Sequence, residues 1–341
     1  MRIPAPTILD PSSVPALRWG VMGPGEIAST FVSSVLANTA QKVAAVASRT
    51  PGKAEAFAPA HGIGSVSSSY QELVERDDLD AIYIASYPSD HAEHALLAIA
   101  AGKHVLIEKP LALSSADAQR VLSAARSAGV LAMEAMWTRY LPQSTIIRAL
   151  HEAGDLGAPE LFVAQFCTDN RAIDRLWAPG GGGIAFDMGI YAVAMAHQFL
   201  GNPSKVSATG SVHPGGADQE SFVTMEYESG ARASLVMSGI ASLPQSASCS
   251  FEAAQVVLDA PFLVPSGIHV TSKDFYPMGE HWVDSTGIVG HEGLCYQATW
   301  FAHYVEQGLL ESPVHTHQDV VDILRVLETV VDQVTGGPPL T

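Results

Sequence analysis

Trp19-Gly20-Val21-Met22-Gly23-Pro24-Gly25-Glu26-Ile27-Ala28 decides how this chain folds. Trp19 to Met22 reads as a short strand, and the apolar stretch running on through Leu36 reads as a helix. The Gly-x-Gly-x-x-Ala turn between them is a dinucleotide fingerprint: Gly23 permits the tight turn, Gly25 lets backbone approach a pyrophosphate, and the small Ala28 lets helix pack on strand. Free N–H groups and the positive dipole end of that helix face the phosphates. Gly23, Pro24, Gly25, Glu26 and Ile27 are therefore expected along a bound cofactor.

Strands and helices alternate from Trp19 to about Met136. Lys42 to Ala47 and Ala81 to Ala85 read as buried strands, and His91 to Ala101 and Ser114 to Ala128 as helices, the second capped by Ser114 with Asp117 three residues on. Such alternation implies right-handed crossovers and a doubly wound parallel sheet. Ala101-Gly102-Lys103-His104-Val105-Leu106-Ile107-Glu108-Lys109-Pro110 ends one of its strands in an acid, a base and a proline. Ligands of open parallel sheets bind outside the carboxyl ends of the strands, so Glu108 and Lys109 fall where chemistry is expected.

Beyond about residue 160 the pattern turns to longer strands: Leu161 to Thr168, Ser221 to Tyr227 and Ala231 to Ile240, the last two joined by a Glu228-Ser229-Gly230 hairpin. The expectation is an α+β domain with an open, mainly antiparallel sheet. The division expected is an extended arm at residues 1–17, a dinucleotide-binding domain at 18–140, the α+β domain at 141–316, and a C-terminal helix within 317–341 that packs back near the first domain and is stopped by Gly336-Gly337-Pro338-Pro339. Between the strands, Ile184 to Leu200 reads as an apolar helix in which Asp187 is the only formal charge. A charge on a buried helix costs several kcal/mol unless paired. Tyr191, four residues on, shares its face, and Gly180 to Gly183 just upstream allow close approach of a ligand or backbone.

The end of the second strand decides the cofactor. NAD sites place an acid about 20 residues beyond the glycines, whereas an arginine suits the 2′-phosphate of NADP. Here the strand ends Ser48-Arg49-Thr50, with Lys53 nearby and no acid before Glu55, which favours NADP and leaves NAD possible. A formal net charge of −17 argues against nucleic acid and anionic membranes. No stretch approaches the roughly 20 apolar residues of a membrane span. Three widely spaced cysteines fit a reduced, cytoplasmic protein without a disulfide frame. The thirteen histidines include no CxxC or HExxH context, so no metal is expected.

Taken together, these motifs resemble the glucose-fructose oxidoreductase and inositol dehydrogenase family, also called Gfo/Idh/MocA. The carriers are the Gly23 to Ala28 fingerprint, Ala101-Gly102-Lys103-His104-Val105 leading to Glu108-Lys109-Pro110, Gly181-Gly182-Gly183 leading to Asp187-Met188-Gly189-Ile190-Tyr191, and Glu311-Ser312-Pro313. Met133 to Pro142 and the tyrosine at position 191, where many members have histidine, look like the dimeric dihydrodiol dehydrogenase and NADP-dependent xylose dehydrogenase branch. The resemblance implies a Rossmann domain followed by an open sheet that often mediates dimerisation, with a homodimer or higher homo-oligomer as the assembly. It places Lys109 by nicotinamide and substrate hydroxyl, with Asp187 and Tyr191 completing the site. Ser86, Tyr87 and His91 form the nicotinamide-side loop, where the family's usual proline is replaced by Tyr87 with Pro88 following. Trp137, Arg139 and Trp177 are expected to line the substrate pocket.

The expected reaction is hydride transfer between NADP and a hydroxyl or carbonyl of a sugar, cyclic polyol or trans-dihydrodiol. Tyrosine has an ordinary pKa near 10, so acid/base work near neutrality needs about 4 kcal/mol of help. One ammonium about 4 Å away supplies that at an effective dielectric near 20. This makes Tyr191 the acid/base, Lys109 the group that tunes it and Asp187 the group that orients Lys109; the alternative is proton transfer by Lys109 itself, with Tyr191 as an anchor. A different class, a non-catalytic NAD(P)-binding redox sensor on the same fold, would not need these three residues together.

Overall fold

The computed structural model describes residues 2–336, so the expected stop at Gly337-Pro338-Pro339 lies outside the described residues. The chain forms two compact units, and neither is continuous in sequence. The first comprises residues 8–140 and 289–321; the second comprises, of the described residues, 2–7, 141–288 and 322–336. Residues 289–316, read from sequence as part of the second domain, and 317–321, read as the start of the C-terminal helix, thus belong to the first. No helix among the described residues is long and apolar enough to cross a membrane.

In the first unit, β1 (Arg18–Met22), β2 (Lys42–Ala47), β3 (Ser65–Ser67), β4 (Ala81–Ile84), β5 (His104–Ile107) and β6 (Ala132–Glu134) form one sheet in the order β3-β2-β1-β4-β5-β6. Every pairing is parallel. Val21, Ile82, Ile84, Val105 and Leu106 have no exposed surface, because helices cover both faces of a parallel sheet. The fingerprint helix, Glu26–Asn38, buries Ala28, Phe31, Val32 and Val35. Phe31 stacks on Tyr83 of β4 with ring centroids 3.8 Å apart. The helix Ser115–Ala128 is capped as expected, Ser114 Oγ accepting the Asp117 N–H at 3.0 Å and Gly129 closing it with φ +69°.

Register brings the strand ends level. Met22 pairs with Ala47 on one side and Ile84 on the other, Ile84 with Ile107, and Ile107 with Glu134. Residues that follow these strands therefore emerge along one edge, and the strand order reverses direction at β1 and β4, the switch point at which doubly wound sheets bind ligands.

The second unit contains an eight-stranded sheet in the order β14-β13-β12-β11-β7-β10-β9-β8. Its strands are β7 (Pro159–Cys167), β8 (Lys205–Val212), β9 (Asp218–Glu226), β10 (Arg232–Ser238), β11 (Ala247–Phe251), β12 (Gln255–Leu258), β13 (Gly267–Thr271) and β14 (Gly279–Val283). Only the β7–β10 pairing is parallel, and the hairpin through Gly230 joins β9 to β10 as expected. One face is covered: Phe162 of β7 and Phe251 of β11 both meet Phe199 of the helix Ile190–Leu200. Alternation leaves the other face open, with Leu161, Val163 and Phe222 exposed. The C-terminal helix runs His317–Thr335, and its later residues join this unit, Gln333 accepting the Ala208 N–H of β8 at 2.6 Å.

The segment read as one helix from Ile184 to Leu200 is two structures. Ala185–Gly189 is a π-helical turn, and the α-helix begins only at Ile190. Sequence periodicity hid the extra residue because apolar side chains continue through both.

Candidate active site

At the carboxyl edge of the first sheet, Gly23 turns out of β1 with φ +93°, and a Cβ there would lie 2.8 Å from Ala85 O and from the backbone of Ser86. Only glycine lets β1 and β4 deliver their loops so close together. Gly25 starts the fingerprint helix with no side-chain cap and nothing within 4 Å of where a Cβ would stand. The helix N-terminus thus keeps N–H donors and open space for a diphosphate, so the residues present fit a dinucleotide. Glu26 is exposed, and Pro24 and Ile27 are half-buried beside it.

Three buried groups fix the backbone on either side of Lys109. The Lys109–Pro110 peptide is cis. The Pro110 carbonyl meets His91 Nδ1 at 2.8 Å, the Leu111 N–H donates to Glu134 Oε1 at 2.8 Å, and the Lys109 N–H donates to Glu108 Oε2 at 3.2 Å. Glu134 is itself held by His315 Nε2 at 2.8 Å. His91 reaches Ser86 O at 3.0 Å with its other nitrogen, and its ring is 1% exposed. Burial lowers its pKa. The sequence reading set His91 among cofactor contacts; the ring's partners are backbone carbonyls, and it ties the loop after β4 to the loop after β5. Ser86 Oγ lies 2.7 Å from His94 Nδ1, and Tyr87 is half-buried.

Glu108 is 6% exposed and accepts the Tyr83 hydroxyl at 2.5 Å. Burial pushes its carboxyl up to about 7 against the Tyr83 hydrogen bond and the Lys109 charge, which both pull it down. The folded chain therefore holds a proton on Glu108 that an unfolded chain, at an ordinary 4.5, releases first. Between about pH 4.5 and 7 the native state binds more protons, so this group's contribution to stability falls as pH rises, by about 3 kcal/mol across the window. Denaturant unfolding of wild type and Glu108→Gln at pH 5 and pH 8 should show the difference between them moving by about that amount in favour of the variant. A difference independent of pH would contradict the raised carboxyl.

At the end of β2, Ser48 Oγ accepts the Thr50 N–H at 3.0 Å, Arg49 is exposed and ion-paired with Asp90, and Lys53 is exposed. Trp137 and Arg139 are 2% and 5% exposed, so both are packed within the first unit. The Trp137 ring stacks on His291, centroids 5.4 Å apart. Burial, and after it the charge of Lys109, lowers the pKa of His291. The sequence reading missed His291, because nothing local to Gly290-His291-Glu292-Gly293 says that it docks against the first sheet.

In the second unit the π-turn carries Asp187, whose carboxylate lies 3.6 Å from Arg175 Nη1. The sequence reading gave Asp187 to Lys109 alone; Arg175 is a partner it did not foresee. Asp218, also missed, holds the turn by accepting the Ala185 N–H at 2.8 Å. Burial pushes its carboxyl up to about 6. Gly183 has φ +67°, and a Cβ there would sit 2.0 Å from Asp218 Oδ1, so the glycine makes room for this acid. Tyr191 is 9% exposed with Phe166 5.9 Å away, and Trp177 is stacked on His213 at 4.8 Å.

On the open sheet face Asp259 accepts from His269 and His281 at 3.1 and 2.9 Å. The two imidazoles stack with planes 6° apart and centroids 3.7 Å apart. Parallel planes share no point, so both lone pairs cannot aim at one metal ion unless a ring turns; as they stand they share a carboxylate.

The fingerprint at the switch point and the clamped lysine two strands away define a nicotinamide-dinucleotide oxidoreductase. Residues 17–136 match the oxidoreductase family, NAD-binding Rossmann fold, and residues 145–255 match the GFO/IDH/MocA C-terminal domain. The chain belongs to the Gfo/Idh/MocA family of oxidoreductases. It is 33% identical over 309 residues to a trans-1,2-dihydrobenzene-1,2-diol dehydrogenase of Mus musculus, covering 88% of this chain and 91% of that protein. The Sus scrofa enzyme of the same name is 32% identical over 327 residues, covering 92% and 96%. A solved 3-ketoreductase from Actinomadura kijaniata, in complex with NADP and TDP-benzene, is 26% identical with a TM-score of 0.78, covering 95% and 98%. Levoglucosan dehydrogenase, in complex with NADH and levoglucosan, shares the fold at a TM-score of 0.84 and 18% identity, covering 95% and 98%.

Proposed function

We propose that this enzyme is an NADP-dependent dehydrogenase or reductase acting on a hydroxyl or carbonyl carbon of a sugar, cyclic polyol or trans-dihydrodiol, with Lys109, Asp187 and Tyr191 handling the proton. The observation that carries the reading is a rigidly backed Lys109 at the end of β5 in a sheet whose second strand ends in Ser48-Arg49 rather than an acid. Support for the substrate class comes from relatives named dihydrodiol dehydrogenase and from a ketoreductase solved with NADP. The nicotinamide, when bound, supplies the hydride acceptor or donor. Lys109 then offers an ammonium to the substrate oxygen, and an ammonium within about 4 Å of a phenol favours its ionised form. Tyr191 moves the proton, and Asp187, paired with Arg175, balances charge. Trp137, Arg139 and Trp177 are assigned to the substrate pocket, and Ser86, Tyr87 and Glu108 to the nicotinamide side.

We assign the open face of the second sheet, with Leu161, Val163, Phe222 and Val283 exposed, to a homodimer interface, to be checked by light scattering of the purified enzyme. Three cysteines outside any disulfide fit a cytoplasmic enzyme.

Screening NADPH oxidation and NADP reduction against sugars, dicarbonyls and dihydrodiols tests the activity; tight cofactor binding with no turnover on any would favour a redox sensor. The cofactor assignment has its own test. Arg49→Ala should weaken NADPH binding by about tenfold or more and leave NADH nearly unchanged, because it removes a charge-assisted phosphate contact worth about 1.5 to 3 kcal/mol. Equal losses for both cofactors in titration calorimetry would overturn NADP preference through Arg49.

A further inference from the structure

The partner of Arg49 carries an inference about cofactor choice. Arg49 leaves the end of β2, whereas Asp90 closes the short 3₁₀ turn Pro88–Asp90 that follows β4. Strands β2 and β4 lie on opposite sides of β1, so the Arg49–Asp90 ion pair spans the end of the strand that bears the glycine fingerprint. Asp90 is anchored by its backbone, its N–H donating to Tyr87 O at 2.8 Å. Its side chain is 30% exposed and that of Arg49 59%, so the long guanidinium, which also hydrogen-bonds Tyr70, is the partner more open to a ligand and the carboxylate the more enclosed one. Tyr70 and His94 are close enough to feel the charge of both, and Lys53 is exposed nearby on the next helix.

We propose that Asp90 sets the cofactor preference of this enzyme by competing with the ribose 2′-phosphate for Arg49. The proposal rests on the reading of Arg49 given above. A cofactor carrying a 2′-phosphate must draw the guanidinium from Asp90 or share it, and either way a fixed carboxylate remains near a phosphate dianion. A cofactor with a free 2′-hydroxyl leaves the pair intact. Asp90 thus weakens NADPH selectively, and the chain accepts both cofactors more evenly than Ser48-Arg49 alone would allow.

Affinities for NADPH and NADH, measured by calorimetry at two salt concentrations, test this in wild type, Asp90→Asn, Arg49→Ala and the double variant. Asp90→Asn is nearly isosteric at a partly exposed site, and circular dichroism checks that its fold is retained. The expected result is NADPH binding tightened about two- to fivefold, the range an exposed ion pair spans, with NADH unchanged. NADPH binding should also become more salt-sensitive, since the site gains a net positive charge. In the Arg49→Ala background the gain should fall by at least half. A selective loss of NADPH in Arg49→Ala, with Asp90→Asn neutral, weaker for NADPH or equally altered for both cofactors, overturns the role of Asp90 alone. Equal losses of both cofactors in Arg49→Ala overturn the reading of Arg49 and the proposal with it.

Discussion

Lys109→Met should lower kcat by about 10²- to 10⁴-fold while leaving NADPH affinity within a few-fold of wild type. The asymmetry follows from how the segment is held. Its backbone is fixed by His91 at the Pro110 carbonyl, by Glu134 at the Leu111 N–H and by Glu108 at the Lys109 N–H, and none of these needs the ammonium. Methionine matches the length of the aliphatic stem, so the loop should keep its course and only the charge should go. In the proposed mechanism that charge is the donor to the substrate oxygen and the group that favours an ionised phenol, so its loss should fall on kcat. Steady-state kinetics with separate cofactor titrations decide the matter: near-normal kcat would remove Lys109 from the chemistry. A loss seen in cofactor affinity alone would make it a binding residue.

Tyr191→Phe should be the second large loss, again about 10²- to 10⁴-fold in kcat, with the cofactor bound as before. The ring is buried beside Phe166 of the second sheet, and phenylalanine preserves that contact, so thermal stability should shift little. The pH profile of kcat/KM separates the two candidates for the proton. If Tyr191 carries it, the basic limb of the wild-type profile disappears in the variant. If the variant keeps near-normal turnover and the same basic limb, the proton belongs to Lys109 and the tyrosine is an anchor.

Much of this could be read from the residues because parallel strands buried on both faces leave continuous apolar runs, such as Ala81 to Ala85, that end at chemically distinctive positions. The fingerprint at Gly23, the lysine at position 109 and the Ser114 cap are all local signals, and local signals survive in sequence. What sequence did not reveal is long-range. Asp218 supports a turn at Ala185 from 33 residues away, and Arg49 meets Asp90 across 41 residues and an intervening strand. His291 joins the first sheet although its neighbours in sequence resemble any polar connection. The π-turn escaped notice for a different reason: an inserted residue in a helix leaves the apolar content unchanged and alters only hydrogen-bond spacing.

The return of residues 289–321 to the first unit constrains how the molecule can be made or cut. Until the nascent chain has been synthesised through His315, Glu134 is a carboxylate at the end of the edge strand β6 without its imidazole, and Trp137 lacks the ring it stacks on. The nucleotide-binding unit thus cannot complete its packing until the ribosome has passed residue 321, long after its sheet has been made. A fragment ending near residue 140 would carry every glycine of the fingerprint and still lack a finished interior. A truncation intended to isolate the nucleotide-binding half would have to splice the distant segment back on.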